Sequence, residues 1–168
     1  MYRDCKPENV AFDRYSDQTK LIDLGLAKDL KPLRPTPATG LYRLTALTGS
    51  ARYMAPEVAR EDDYNEACDV YGLAIVIWQV MALQTPYAKF NVQKMFQVVY
   101  DCPHVRPSLE EWQEVEEGGV SNRWLVRLLK KMWSPLIEER PTMKEVHSVL
   151  KRQLEKVDML EASERSMT

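Results

Sequence analysis

The sequence has few cysteines and no excess of charge of either sign, and each absence removes a class of protein from consideration. The three cysteines, Cys5, Cys68 and Cys102, are odd in number and far apart. A disulfide framework is therefore not expected, whereas a reducing, cytoplasmic compartment is. The 23 basic and 25 acidic residues give a formal net charge of −2, which provides no electrostatic basis for binding nucleic acid.

Long apolar stretches are also missing. The longest, at 73–83, is interrupted by Gln79 and is too short to cross a bilayer. Met1 leads straight into Tyr-Arg-Asp, so no signal peptide is expected here, and any membrane tether is left to an upstream segment. Apolar residues make up 45% of the 168, which is the composition of one folded domain.

The pattern of apolar residues predicts a mainly α domain with a short two-stranded hairpin near its start. The stretch 67–83 is apolar on nearly all faces, which is typical of a helix at the centre of a domain. The polar residues from 161 onward are expected to fray. In chain order the predicted elements are strands at 10–12 and 20–24, an irregular loop at 28–50, the helix at 67–83, a helix capped by Asn91, an acidic connector at 104–120, a helix at 122–133 and a last helix opened by a Thr142–Glu145 capping box.

The later helices each carry one apolar stripe that is expected to face the core. These stripes are Val92, Met95, Phe96 and Val99, then Leu125, Leu128, Leu129 and Met132, then Val146, Val149, Leu150 and Leu154. Four or five helices around one very apolar helix therefore make a single, mainly helical lobe.

Three polar residues near the start of the chain suit magnesium-assisted phosphoryl transfer. Asp4 and Asn9 are five apart, and Asp23 follows shortly before Gly25. A carboxylate can accept the proton of an attacking hydroxyl, and the oxygens of an Asn and a second Asp can hold metal ions on a nucleotide's phosphates. The plainer interpretation of each residue is a turn former or helix cap, so the assignment depends on the motifs that accompany them.

Further motifs follow in a fixed order along the chain. They are Arg3-Asp4 with Lys6 and Asn9, Asp23-Leu24-Gly25, Gly49-Ser50, Tyr53-Met54-Ala55-Pro56-Glu57, Asp69-Val70-Tyr71 and Arg140-Pro141-Thr142. In this order and spacing the chain resembles the C-terminal lobe of a eukaryotic-type protein kinase. The resemblance implies a kinase C-terminal lobe at 1–155 and a polar tail at 156–168.

Details within the motifs indicate a type of kinase. Lys6, two residues after the Asp, is the serine/threonine pattern. The segments 48–57 and 69–73 look most like the tyrosine-kinase-like branch of serine/threonine kinases. The chain departs from the family pattern at Tyr2, where His is commoner, and at Leu24, where Phe is usual.

The resemblance implies a role for each residue of the catalytic motifs. Asp4 is expected to be the catalytic base, and Ser50 to hydrogen-bond that base and shape the substrate site. Lys6 is expected to contact the transferring phosphate of ATP and offset its charge. Asn9 and Asp23 are expected to hold Mg²⁺ on the nucleotide, so that Lys6, Asn9 and Asp23 together bind the cofactor.

The loop at 28–50 corresponds to the activation segment of such an enzyme. Arg3, next to the base, is expected to pair with a phosphate on this loop, which would order it. Thr45 and Thr48 are the best candidates for phosphorylation, with Thr39 behind them.

Three further charged residues are expected to have structural roles. Glu57 and Arg140 are expected to form a buried ion pair. Asp69 is expected to be a buried anchor for the backbone of the catalytic loop. Losing either charge of a buried pair costs about 3–5 kcal/mol of stability.

Several kinase parts are missing from the sequence. It contains no glycine-rich phosphate loop, and the third-strand lysine, its glutamate partner and the adenine hinge belong to an N-terminal lobe that is absent here. Two hypotheses remain open. The chain is part of an active serine/threonine kinase that phosphorylates proteins, or it is a non-catalytic lobe that binds partner proteins. In both cases the face toward the absent lobe is expected to expose apolar side chains.

Overall fold

A computed structural model of the chain describes residues 1–16, 18–102, 104–112 and 122–167. The described residues are mostly helical, as predicted, with one two-stranded antiparallel sheet. No helix among them is long and apolar enough to cross a membrane. In chain order the elements are β1 (Val10–Phe12), β2 (Thr19–Leu21), α1 (Pro56–Ala59), α2 (Ala67–Ala82), α3 (Val92–Met95), α4 (Arg123–Met132) and α5 (Met143–Met167), with 3-10 turns at Pro7–Asn9, Glu110–Trp112 and Ile137–Glu139 and a wider π turn at Phe96–Tyr100.

The hairpin of β1 and β2 directly follows the segment that contains Asp4 and Asn9. Val10 lies opposite Leu21 and Phe12 opposite Thr19. The prediction of a second strand at 20–24 was wrong at its end, because the strand stops at Leu21. Asp23 then adopts a positive φ of 58°, which is incompatible with an extended strand. This bend carries Asp23 out of the sheet.

Helix α2 lies at the centre of the domain, as its composition predicts. Tyr71, Ala74 and Ile75 have no exposed surface, and α4 packs against the same helix. The helix ends at Ala82, where Leu83 adopts the left-handed conformation of a C-cap. Apolar side chains near that end lie at the surface, and Leu83 is 90% exposed.

Most predicted stripes and caps of the later helices are confirmed. Asn91 accepts a hydrogen bond from the amide of Lys94 at 2.8 Å. Thr142 and Glu145 form the reciprocal capping box, with the Thr142 amide 2.8 Å from Glu145 Oε2 and the Glu145 amide 3.3 Å from Thr142 Oγ1. The side chains predicted on the inner face of α4 are all buried: Leu125, Leu128, Leu129 and Met132.

Three predictions about the helices were wrong. Val92 is 61% exposed, since it begins α3 at the edge of the core, and Leu154 is 63% exposed. Leu154 lies where α5 has passed the packed part of the domain. The tail predicted to fray from 161 is instead helical, since α5 continues to Met167. Much of the predicted acidic connector, at 113–120, lies outside the described residues.

A buried ion pair joins α1 to the segment before α5. Arg140 Nη1 lies 2.6 Å from Glu57 Oε1, and Nη2 lies 2.9 Å from Oε2. The two side chains are 0% and 3% exposed. Arg140 also donates to the carbonyls of Ser134 and Ala67, and its guanidinium lies over the ring of Tyr71. Every polar group of the pair is thus matched, as burial of charge requires.

We predict that Arg140→Ala destabilises the domain by about 3–5 kcal/mol, because it leaves the Glu57 carboxylate buried without a counter-charge. Urea denaturation measures the loss. Lys20→Ala is the matched control, since the Lys20–Asp13 pair lies at the surface, where an ion pair contributes little to stability. Equal stability of the Arg140→Ala variant and the parent chain would show that the pair does not hold the fold together.

Candidate active site

The segment that carries Asp4 is fixed to α2 by the carboxylate of Asp69. Asp69 accepts the amide of Tyr2 at 2.7 Å through Oδ2 and the amide of Arg3 at 2.6 Å through Oδ1. The predicted anchor is therefore present, although Asp69 is only partly buried. A Cβ at Gly72, one turn later, would lie 3.2 Å from Cβ of Cys5 and 3.3 Å from the Tyr53 carbonyl. The lack of a side chain there allows the loop to lie directly on the helix.

Asp4 is the centre of a closely bonded polar cluster. It is only 7% exposed. Asn9 Nδ2 donates to the carbonyl oxygen and to Oδ2 of Asp4, both at 3.0 Å. The Ser50 amide donates to Oδ1 at 2.9 Å, and Lys6 Nζ lies 2.8 Å from Oδ2. Lys6 also donates to the Ser50 hydroxyl at 2.9 Å. The structure thus brings Ser50 together with Asp4, Lys6 and Asn9, which belong to a motif far from it in the sequence.

The surroundings of Asp4 keep its carboxyl group ionised. Burial acts to raise the pKa of Asp4, but the hydrogen bonds from Lys6 and Ser50 outweigh it, and the pKa lies below its ordinary value. The hydrogen bond to Asp4 in turn raises the pKa of Lys6. An ionised carboxylate beside an ammonium group can accept a proton while the ammonium offsets negative charge on a neighbouring group.

Asn9 and Asp23 lie at one end of the hairpin and offer oxygen ligands. Asn9 is buried at the end of a 3-10 turn, and its carbonyl accepts the Ile22 amide at 3.0 Å. This bond brings the neighbouring Asp23 to the same end. Asp23 is exposed, and its Oδ1 accepts the Gly25 amide at 3.1 Å. Carboxylate and amide oxygens suit Mg²⁺. Within the described part of the chain, no group of three or more His, Cys, Asp or Glu side chains is placed to hold a metal ion.

The predicted regulatory threonines differ sharply in exposure. Thr45 and Thr39 are exposed, whereas Thr48 is only 8% exposed. The Thr48 hydroxyl donates to the carbonyls of Thr45 at 2.9 Å and Ala46 at 3.1 Å. Thr48 therefore serves in this conformation to hold the turn, and a kinase could reach its hydroxyl only after the turn opens.

The loop returns to Asp4 through a glycine that nothing larger could replace. Gly49 has a φ of 102°, and a Cβ there would lie 2.4 Å from the Arg3 carbonyl oxygen. A side chain at this position would clash with backbone and adopt a strained conformation. Gly49 thereby allows the Ser50 amide to meet Asp4.

Two residues that the motifs do not identify also shape the site. Arg52 donates to the carbonyls of Pro86 and Tyr87, each at 2.9 Å, and so ties the chain after Ser50 to the turn beyond α2. The hydroxyl of Tyr64 lies between Arg3 Nη1, at 3.2 Å, and the Thr45 carbonyl, at 2.7 Å. Such contacts join distant parts of the chain, and neither residue has a local sequence signal.

The chain is similar to known protein kinases over most of its length. The profile of the protein kinase domain matches residues 1–150. The chain is 28% identical to a putative mitogen-activated protein kinase kinase kinase 7-like protein of Drosophila melanogaster, over 92% of the chain and 36% of that protein. It is 29% identical to the serine/threonine-protein kinase mos of Patiria pectinifera, over 94% and 42%. It is 32% identical to the serine/threonine-protein kinase VIK of Arabidopsis thaliana, over 94% and 32%. The chain spans less than half the length of each relative.

We predict that Lys6→Met raises the pKa of Asp4, because the carboxylate then stays buried without its ammonium partner. A pH titration of the Asp4 carboxyl carbon by NMR measures this. Lys20→Met, which removes the ammonium beside Asp13, is the matched control and should leave the Asp4 titration unchanged. An unshifted Asp4 pKa in the Lys6→Met variant would contradict the prediction.

The low pKa of Asp4 also fixes the direction of a pH effect. Because the folded-state value lies below the unfolded one, the carboxylate stabilises the fold above its unfolded pKa of about 3.9. This contribution is lost as the pH falls through the folded-state value. The Lys6→Met variant should therefore unfold at a higher pH than the parent chain during acid titration followed by circular dichroism.

Proposed function

The chain belongs to the protein kinase domain family, and from that premise we propose that it forms the C-terminal lobe of a serine/threonine kinase. Such an enzyme transfers the γ-phosphate of ATP to hydroxyl groups of protein substrates. The observation that carries the proposal is the cluster around Asp4, where Asn9, Ser50 and Lys6 all contact one buried, ionised carboxylate. The relatives named as serine/threonine kinases support the choice of substrate hydroxyl.

In the proposed reaction each residue of the cluster has one task. Asp4 accepts the proton of the substrate hydroxyl, for which its low pKa keeps it ionised. Lys6 contacts the transferring phosphate and offsets its negative charge. Ser50 is already bonded to both, so it aligns the base and the cation with the bound substrate.

Asn9 and Asp23 would hold Mg²⁺ on the nucleotide phosphates. The donor set fits this ion, because Mg²⁺ is commonly held by one or two protein oxygens together with substrate phosphates. Asn9 uses its Nδ2 to donate to Asp4, which leaves Oδ1 as its oxygen ligand. The exposed carboxylate of Asp23 supplies the charge. When bound, the ion would neutralise charge that develops on the phosphates.

Exposed apolar side chains around the hairpin support the assignment to one lobe, at 1–155, of a larger catalytic domain. Phe12 is 79% exposed, Leu24 67%, Leu21 56% and Ile22 46%. A patch of this kind beside a polar cluster is typical of a surface that another domain or protein covers. The small share of each relative that the chain spans supports the same assignment.

The same surface favours a second candidate, a non-catalytic lobe that binds partner proteins. Both candidates predict that the 168-residue chain by itself neither binds Mg-ATP tightly nor phosphorylates a substrate. Positioning and exclusion of water account for most of the rate in phosphoryl transfer, and an open polar cluster provides neither. The two candidates differ in whether the protein has a kinase activity that depends on Asp4 once another domain or protein covers the apolar surface.

The exposure of Thr45 and the free cysteines bear on regulation and location. Thr45 is the proposed phosphorylation site of the loop, because it is exposed and the Tyr64 hydroxyl bridges its carbonyl to Arg3. The segments 48–57 and 69–73 support a place in the tyrosine-kinase-like branch. The free thiols Cys5, Cys68 and Cys102 support a reducing, cytoplasmic location.

We predict that the protein isolated from its native source transfers labelled phosphate from Mg-ATP to a generic substrate such as myelin basic protein. A tagged copy of the natural gene with Asp4→Asn should lose this activity by a factor of at least about 100, since general-base catalysis contributes that much. Asp13→Asn, which alters a carboxylate on the hairpin turn, is the matched control and should keep it.

Two outcomes would contradict the proposal in different ways. Full activity of the Asp4→Asn protein would remove Asp4 as the base. No activity of the natural protein, together with capture of a partner that Phe12→Ser abolishes, would support the non-catalytic lobe. Activity of the 168-residue chain alone would show that the polar cluster needs no covering domain.

A further inference from the structure

One buried hydroxyl connects the catalytic segment to the loop that carries Thr45. Tyr64 has no exposed surface and does not belong to the motifs quoted in the sequence analysis. Its hydroxyl donates to the Thr45 carbonyl at 2.7 Å and accepts from Arg3 Nη1 at 3.2 Å. The same residue therefore contacts both the arginine beside the base and the loop that the arginine is expected to bind when the loop is phosphorylated.

The backbone of Tyr64 holds the loop as well. The Tyr42 amide donates to the Tyr64 carbonyl at 2.9 Å, and the Tyr64 amide donates to the Tyr42 carbonyl at 3.1 Å. The loop is thus attached to Tyr64 at Tyr42 and again at Thr45. Only the second attachment depends on a side chain, so it can be removed without disturbing the first.

The second attachment lies directly before the contact with the base. Thr45 and Thr48 are joined by the Thr48 hydroxyl, and Gly49 then passes within reach of the Arg3 backbone. The next residue, Ser50, donates its amide to Asp4. The hydrogen bond to the Thr45 carbonyl therefore holds the start of the segment 45–50, and the last residue of that segment donates to Asp4.

Arg3 is held on its other side too. Its Nε donates to the Leu26 carbonyl at 2.7 Å, near the start of the same loop. The guanidinium thus bridges the start of the loop and, through the Tyr64 hydroxyl, the turn at Thr45.

We propose that Tyr64 is a positioning residue, whose buried hydroxyl orders the loop at 42–50 and so keeps the Ser50 amide on Asp4. The inference rests on the proposed function for its catalytic meaning, because only then is Asp4 a base. The ordering of the loop by Tyr64 does not depend on whether Asp4 is a base. A phosphate on Thr45 would add to the order that the Tyr64 hydroxyl provides.

The test is hydrogen exchange by NMR on the 168-residue chain, comparing the parent with Tyr64→Phe. The reporters are the amides of Leu47, which donates to the Val58 carbonyl, and of Ser50, which donates to Asp4. We expect both to exchange about tenfold faster in Tyr64→Phe, the factor that corresponds to one hydrogen bond. The Ile75 amide, in the middle of α2, reports global unfolding and corrects for any general loss of stability.

Tyr53→Phe is the matched control, because it also removes a buried tyrosine hydroxyl, in this case one that donates to Gln79. It should leave the Leu47 and Ser50 amides unchanged after the same correction. Titration of Asp4 gives a second readout that a merely structural role would not move. Loss of the Ser50 hydrogen bond should raise the pKa of Asp4 in Tyr64→Phe but not in Tyr53→Phe.

Unchanged exchange at Leu47 and Ser50 in Tyr64→Phe would overturn the proposal, as would equal effects of the two variants. The outcome does not depend on catalysis. Faster exchange in Tyr64→Phe, combined with a natural protein that is active with Asp4→Asn, would uphold the positioning role of Tyr64 and reject the proposed function.

Discussion

The contact on which the rest of the site depends is the carboxylate of Asp69 with two successive backbone amides. Tyr2 and Arg3 donate to its two oxygens at 2.7 and 2.6 Å. Asp69 lies in the first turn of α2, where the helix dipole favours negative charge. The central helix therefore orients the segment that carries Asp4, and Arg3 adopts its positive φ of 70° as part of that arrangement. Asp4, Asn9 and Ser50 are then placed by hydrogen bonds to one another.

Two kinds of interaction can be distinguished around this contact. The Glu57–Arg140 pair is enclosed and fully matched, and its task is to join distant parts of the chain. The pair of Lys6 and Asp4 is more open, with Lys6 23% exposed, and its hydrogen bonds can be exchanged for bonds to a bound molecule. A rigid, buried network thus supports a more accessible one, which is the arrangement that positioned chemistry requires.

The sequence predicted the parts of the fold that depend on local pattern and on ordered motifs. Composition alone identified α2 as central, and caps such as Asn91 follow from short-range hydrogen bonding. The end of β2 and the exposure of Leu154 were not predictable, because they depend on a positive φ at Asp23 and on how far neighbouring elements extend. In the site, motif order selected Asp4, Lys6, Asn9 and Ser50, which the structure brings into contact. It did not identify Tyr64, because a tyrosine that acts through one buried hydroxyl has no recognisable spacing.

We propose that these residues form one half of a phosphoryl-transfer site, which another domain completes. The mass of the endogenous protein, captured from native extract with an antibody to this lobe, tests that claim most directly. We predict a species heavier than 19.5 kDa by at least one further domain, about 100 residues. An endogenous protein of 19.5 kDa that migrates without any other subunit would contradict the account, because nothing would then cover the exposed apolar surface or complete the site.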